Sequence, residues 1–327
     1  MLVVFVAVFV ILLGVAAGSG LIGGPAVPGA TSSPSPAATA SPPGSTQAPS
    51  PSTSPTPSPT PTSAPSVTLV GAGDIADCGR DEDEVTAALI DTIAGTVFTA
   101  GDNAYEDGTA QQYADCYAPS WGRHLDRTLP SAGNHDHHTK DLAGYFGYFG
   151  ARAGAPGTSW YSVDLGTWHV VVLDSECGKV GGCGPDSPQG RWLTADLAAS
   201  KARCTAAIWH HPRFSSGFHG NDKDVDPFWR ALDAAGAEIV LNGHDHDYER
   251  FAPQDPEANF TPDGIREFVV GTGGAELRAF ESPQPNSLVR SSIAYGVIRL
   301  TLRQSSYDWE FVSVDGSFTD AGTGSCH

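Results

Sequence analysis

The sequence predicts an α/β domain built on mixed sheets, and three observations carry that expectation. Runs rich in β-branched residues alternate with helical patterns, polar blocks follow the ends of several runs, and the last two runs have no helix between them. Strands are expected over 67–70, 96–100, 168–173, 206–209, 238–241, 267–270, 293–302 and 307–314. A helix is expected over 81–93, where Val85, Leu89 and Ile93 recur at helical spacing behind an acidic first turn. Further helices are expected over 188–200 and 225–235. The uninterrupted step from 293–302 to 307–314, with more alternation, predicts an antiparallel pair and hence a mixed sandwich.

The polar blocks are the most informative feature. Asp74 lies in GAGDIADC, Asp102 and Tyr105 in TAGDNAYEDG, Asn134 in SAGNHDHH, His210 in AAIWHHP, and His244 and His246 in VLNGHDHDYER. Oxygen and imidazole donors of this kind, with one carboxylate free to bridge, suit a two-metal hydrolytic centre. In open α/β sheets, ligands bind beyond the carboxyl ends of strands. Gly71, Gly73, Gly101, Gly133 and Gly243 lie just ahead of the donors and let the chain turn sharply there. One Gly-Asp or Gly-Asn pair is ordinary turn chemistry; five blocks in this arrangement are not.

Composition narrows the function classes. The first 73 residues carry no Asp, Glu, Lys, Arg or His, so the net charge of −19 belongs entirely to residues 74–327. A domain this acidic excludes a nucleic-acid-binding surface, which needs clustered Lys and Arg. A phosphorylated substrate would then dock on bound metal ions. Residues 1–22 are apolar and read as a signal peptide or an N-terminal membrane anchor, a tether that makes the protein secreted or extracytoplasmic. Residues 23–66 form a disordered Pro/Ser/Thr-rich linker with 13 prolines from Pro25 to Pro65. At ~3 Å per residue this spacer reaches up to roughly 100 Å. Residues 67–327 form the catalytic domain.

Six cysteines in an exported chain point to disulfides. A Cys78–Cys116 bond would join two of the polar blocks, and Cys177–Cys183 would close a Gly-rich loop, leaving Cys204 and Cys326. The spacing alone leaves the connectivity open.

In their order, the blocks GD, GDNAY, GNHD, His-x-Pro and GHDH resemble those of the calcineurin-like metallophosphoesterases and, within them, the purple acid phosphatases. The resemblance implies a four-layer α/β/β/α sandwich with a dinuclear site at its rim. It implies that Asp74, Asp102, Tyr105 and His246 hold one metal, that Asp102, Asn134, His210 and His244 hold the other, and that Asp102 bridges. Many phosphodiesterases of the superfamily open with Asp-x-His, whereas the third position here is Ala76; on the family pattern Tyr105 takes the vacancy. A phenolate favours Fe(III) in the first site, with a divalent Zn, Mn or Fe ion in the second. The sequence departs from plant members in two respects. A Pro-rich spacer stands where they carry a β-domain, and His219 is followed by Gly220 where they have two adjacent histidines.

The expected chemistry is hydrolysis of phosphate monoesters by a metal-bound hydroxide, without a protein nucleophile. His135 would sit beside the phosphate, and His219 would act as general acid toward the leaving alcohol. Asp136 and Asp245 are expected to orient ligand imidazoles. His211 is expected to point away from the metals, His137 and His138 to lie in a solvated loop, and Tyr248, Glu249 and Arg250 to form scaffold. Two other readings stand beside the monoesterase: a phosphodiesterase or nucleotide pyrophosphatase on the same centre, favoured by the single His219, and a non-enzymatic anchored binding module.

Overall fold

A computed structural model describes residues 66–155 and 157–327. The apolar leader of 1–22 and, apart from Ser66, the spacer of 23–66 lie outside the described residues. Among the described residues, no helix is long and apolar enough to cross a membrane.

The first half of the fold runs β1 (Val67–Ala72), β2 (Ala76–Asp77), α1 (Glu82–Asp91), β3 (Thr96–Thr99), β4 (Ala104–Tyr105), α2 (Ala110–Gln112), β5 (Thr128–Leu129), α3 (Ala143–Phe149), β6 (Tyr161–Leu165) and β7 (Trp168–Val172). The second runs α4 (Pro188–Ala199), β8 (Cys204–Ile208), α5 (Asp226–Ala234), β9 (Ile239–Asn242), β10 (Tyr248–Phe251), β11 (Arg266–Val270), β12 (Ser287–Ser291), β13 (Gly296–Leu302), β14 (Ser306–Ser313) and β15 (Thr319–Ser325). Two mixed sheets result, ordered β15-β14-β13-β1-β3-β5 and β12-β10-β11-β9-β8-β7-β6. The predicted antiparallel pair is β13 with β14.

Alternation along the second sheet explains the layering. Val170, Val172, Ala206, Ile208 and Leu241 join the core shared with the first sheet, while Val171, Leu173, Ala207, Trp209 and Val240 belong to a second core with the helices. Both faces are therefore apolar, as expected of strands covered on both sides. α5 seals the outer face with Phe228, Trp229 and Leu232, each fully buried; each contributes about 1.5–3 kcal/mol. α4 starts at Ser187, whose hydroxyl accepts from Gly190 N at 2.9 Å, with Pro188 in the first turn.

α1 departs from the sequence expectation. Its buried residues are Asp83, Thr86, Ala87 and Ile90, and Val85 is 45% exposed. Hydrogen bonds decide the orientation: the Thr86 hydroxyl donates to Gly273 O and accepts from Trp121 Nε1 at 2.9 Å. Facing Val85 inward would leave those groups unpaired. Periodicity also missed β5, β6, β10, β12 and β15, which are short, polar or glycine-rich.

All six cysteines pair, as Cys78–Cys116, Cys177–Cys183 and Cys204–Cys326. The last links residues 122 apart and joins the start of β8 to the C-terminal strand's end. Closing a loop of that length removes unfolded-state entropy worth about 5 kcal/mol.

Candidate metal centre

The polar blocks converge because the strands before them are parallel neighbours. β1, β3 and β5 run parallel in the first sheet and lead to Asp74, Asp102 and Asn134; β8 and β9 run parallel in the second and lead to His210, His244 and His246. One sheet thus delivers oxygen donors and the other imidazoles. Asp74, Asp102 and His244 occupy left-handed backbone, with φ of 58°, 49° and 70°. Non-glycine residues there cost roughly 1–2 kcal/mol each, and such strain gathers at functional sites. Glycine is required beside two of them: a Cβ on Gly133 would overlap the Asp102 carboxylate, and one on Gly243 the Asp74 carboxylate.

The structure brings all seven predicted ligands together. The Tyr105 hydroxyl lies 2.9 Å from Asp74 Oδ1, 3.2 Å from Asp102 Oδ2 and 3.2 Å from His246 Nε2. His210 Nε2 lies 3.2 Å from the same Asp102 Oδ2, 3.0 Å from Asn134 Oδ1 and 3.2 Å from His244 Nδ1. Asp102 therefore stands between the two groups. His210 Nδ1 donates to Ala100 O and His246 Nδ1 to Glu276 O, both at 2.8 Å, which turns each Nε2 toward the centre. The other oxygens of the two carboxylates accept backbone N–H groups, Asp74 from His244 and Asp102 from His135, both at 2.8 Å.

The electrostatics fit a cation. Asp74 and Asp102 are 0% and 2% exposed, with His246 beside Asp74 and His210 and His135 beside Asp102. Burial would raise Asp102, but His210, His135 and His244 outweigh it and hold its carboxyl far below the usual range. Burial would lower His210, but the Asp102 charge prevails and pushes it up to about 10. A proton thus sits where positive charge is wanted. The Tyr105 phenol is pushed well above its ordinary value by burial and by Asp102 and Asp74. Only a bound cation would make it a phenolate. Carboxylates, phenol and inward-turned imidazoles form a donor set that suits hard and borderline metal ions. Asp74, Asp102 and His210 lie close enough to share one ion, as do His210, His211 and His244.

His135 and His219 flank this cluster. The His135 ring packs 4.4 Å from Tyr105, centroid to centroid, with Nε2 3.9 Å from Asp102 Oδ2. The His219 ring packs 4.1 Å from that of His244, and its Nε2 lies 2.8 Å from Arg278 Nη1. Arginine only donates, so this nitrogen accepts and carries no proton. Burial lowers the His219 pKa, and Arg278 adds to that.

Several expectations about the surroundings change. Asp136 and Asp245 touch no ligand imidazole. Asp136 accepts from Gly133 N and Asn103 Nδ2 at 2.9 Å and from the Tyr113 hydroxyl at 2.6 Å, while Asp245 accepts from His219 N at 2.7 Å. Both brace loops, and the imidazoles are oriented by backbone carbonyls instead. His211 stays beside the centre, 4.2 Å from the His244 ring, because Ser175 Oγ holds its Nδ1 at 2.8 Å; burial and then His210 lower it to about 3. His137 is buried on Asp174 at 2.8 Å rather than solvated. Arg250, by contrast, is scaffold as expected, paired with Asp320 at 2.6 Å. Arg278 escaped sequence reasoning: it follows a Gly-rich turn with no metal-type block, and its sole signal is being a cation in an acidic chain. Its N–H donates to His246 O at 2.9 Å, which ties it to the ligand loop.

Comparison with known proteins agrees. The family model described as calcineurin-like phosphoesterase matches residues 60–248. The chain is 27% identical over 174 residues to purple acid phosphatase 15 of Arabidopsis thaliana, covering 47% of this chain and 32% of that protein. It is 30% identical over 220 residues to purple acid phosphatase 21 of the same plant, covering 58% and 48%. The chain thus spans half or less of the length of these relatives. The structure of a purple acid phosphatase from yellow lupin (Lupinus luteus) seeds superposes with a TM-score of 0.62 at 19% identity, covering 82% of this chain and 55% of that one. With that family model matched over more than half of its length, this chain belongs to the calcineurin-like phosphoesterase family.

Proposed function

We propose that the protein is an exported, metal-dependent phosphatase that hydrolyses phosphate monoesters. The observation that carries this reading is the single oxygen Asp102 Oδ2, which lies 3.2 Å from both the Tyr105 hydroxyl and His210 Nε2. A carboxylate so placed can serve two ions. Asp74, Asp102, Tyr105 and His246 would hold a ferric ion, and Asp102, Asn134, His210 and His244 a divalent Zn, Mn or Fe ion. Two such cations polarise phosphoryl oxygens and lower the pKa of a coordinated water. His135 would steady the charge that develops on the transferring group. Residues 1–22 would direct export or anchoring, 23–66 would space the domain from its anchor, and 67–327 would carry the activity.

Beside His244, the Arg278 guanidinium would meet developing charge, with His219 holding it in place rather than donating a proton from Nε2. That arrangement favours the second reading, a phosphodiesterase or pyrophosphatase, whose leaving groups need less protonation. The test is turnover of p-nitrophenyl phosphate against bis-p-nitrophenyl phosphate, with Asp102→Asn as the inactive control. A monoester preference supports the phosphatase and a diester preference the second reading. Turnover of neither, with both metals bound, would favour a non-enzymatic anchored module.

A further inference from the structure

Beside the metal centre lies a groove of about 640 Å³ whose charge runs against that of the chain. Two of the four lysines, Lys140 and Lys179, line it together with His137 and His138, and its one lining carboxylate, Asp141, lies 3.9 Å from Lys140 Nζ in an exposed pair. The rest of the wall includes half-buried Trp160 and Phe146. In a chain of net charge −19, this is a local reversal of sign beside flat apolar surface.

The groove is continuous with the centre and firmly built. His138 Nδ1 and His135 Nδ1 lie 3.0 and 2.6 Å from the same carbonyl, Glu106 O, and their rings are 5.0 Å apart. His135 faces the metal ligands and His138 faces the groove. Beneath it, buried Asp174 binds His137 at 2.8 Å and accepts from the Ser159 hydroxyl. Its other oxygen accepts from Glu176 N at 2.9 Å, at the start of the loop that carries Lys179. The Cys177–Cys183 disulfide closes that loop. The loop that presents the exposed Lys179 is therefore fixed at its base by a disulfide and a buried carboxylate. Neither is needed to position a metal ligand.

Resting on the phosphatase reading, we propose that this groove is a leaving-group subsite. It would take the leaving part of the substrate, an alcohol from an ester or the nucleoside diphosphate from ATP, where that part carries a further negative group, held by Lys140 and Lys179, and a planar ring, packed on Trp160 and Phe146. Nucleotides and other ring-bearing polyanionic esters have this chemistry; simple alkyl phosphates lack it. Charge-assisted contacts supply affinity, and the aromatic wall supplies orientation.

The test compares ATP with p-nitrophenyl phosphate on the full chain carrying its metals, for wild type, Lys140→Met/Lys179→Met and Trp160→Leu. The lysine pair should raise the KM for ATP about tenfold or more and leave p-nitrophenyl phosphate within about twofold. Trp160→Leu should raise the KM for both ring-bearing substrates and leave a ring-free alkyl phosphate within about twofold. Equal losses on ATP and p-nitrophenyl phosphate from the lysine pair, or none on ATP, would overturn the subsite. Equilibrium binding of ATP to metal-stripped protein separates the two hypotheses. If wild type hydrolyses neither substrate but binds ATP, and the lysine pair abolishes that binding, the phosphatase reading fails and the groove assignment stands. If wild type hydrolyses p-nitrophenyl phosphate but the variants bind ATP as wild type does, the subsite alone fails.

Discussion

The two halves of the candidate centre share Asp102 and otherwise differ in kind. The half around Asp74, Tyr105 and His246 is anionic, with a carboxylate and a phenol beside one imidazole. The half around Asn134, His210 and His244 offers one neutral amide oxygen and two imidazoles. Their proton chemistry differs accordingly. Burial would lower His246, but Asp74 raises it; burial and the neighbouring rings His210, His211 and His219 drive His244 far down. An anionic half with an ionisable phenol suits a small, highly charged ion, while a half of amide and imidazole donors with no anion of its own beyond Asp102 suits a borderline divalent one. The proposed mixed-metal centre rests on this inequality of donors.

The sharpest way to break this comparison is to remove the shared member. Asp102→Asn should lower kcat/KM by at least about 10³-fold, because both halves lose their common anion; metal analysis should show occupancy falling in both. Retained activity would end the bridging assignment. Next come the unshared members. Tyr105→Phe and Asn134→Ala should each weaken metal binding at their own half by about 10–100-fold. Tyr105→Phe should also abolish any visible ligand-to-metal absorption, and a colourless wild type holding only zinc would contradict the ferric half.

The phenol gives a pH test of the same contrast. Its folded pKa is raised, so it keeps its proton at neutral pH and must release it when a cation binds. Apparent affinity at that half should therefore rise with pH, and Tyr105→Phe should remove one proton from the measured slope.

Smaller effects test the packing between the halves. Gly133→Ala presses on Asp102 and Gly243→Ala on Asp74. Each should cost about 1–3 kcal/mol of stability, read from denaturant midpoints, with metal loss from both halves in the first case and chiefly from the anionic half in the second. A pH effect owing nothing to either half comes from Glu238, which burial raises to about 7. Its folded pKa exceeds the unfolded one, so stability is full in acid and falls as pH rises toward that value. Between about pH 5 and pH 7, wild type should lose on the order of 1–2 kcal/mol relative to Glu238→Gln. If the variant keeps the wild-type slope, the pH dependence of folding belongs to the metal ligands after all.

What could be read from the chain and what could not divide along physical lines. The strands at 67–72, 96–99, 168–172 and 204–208 were legible because both of their faces are buried, which requires an unbroken apolar run. The donors Asp74, Asp102, Asn134, His210, His244 and His246 were legible because a chain leaving a buried strand must turn at once, and glycine directly precedes Asp74, Asp102, Asn134 and His244 while Pro212 follows the His210 block. β12 and β15 were not legible: their exposed, polar or glycine-rich residues pack on one side only, and partner strands decide their pairing.

By itself, then, the sequence determined the donor inventory, the positions of the central strands along the chain and the acidity of the domain, since these depend on residue type and local period. The tertiary structure alone decided that Arg278 reaches His219 from 59 residues away, that carbonyls rather than Asp136 and Asp245 orient the imidazoles, and that α1 docks through Thr86 instead of Val85. Each depends on a hydrogen bond between distant segments. Such a bond has no period and no local signature, and it exists only once the two sheets have closed on one another.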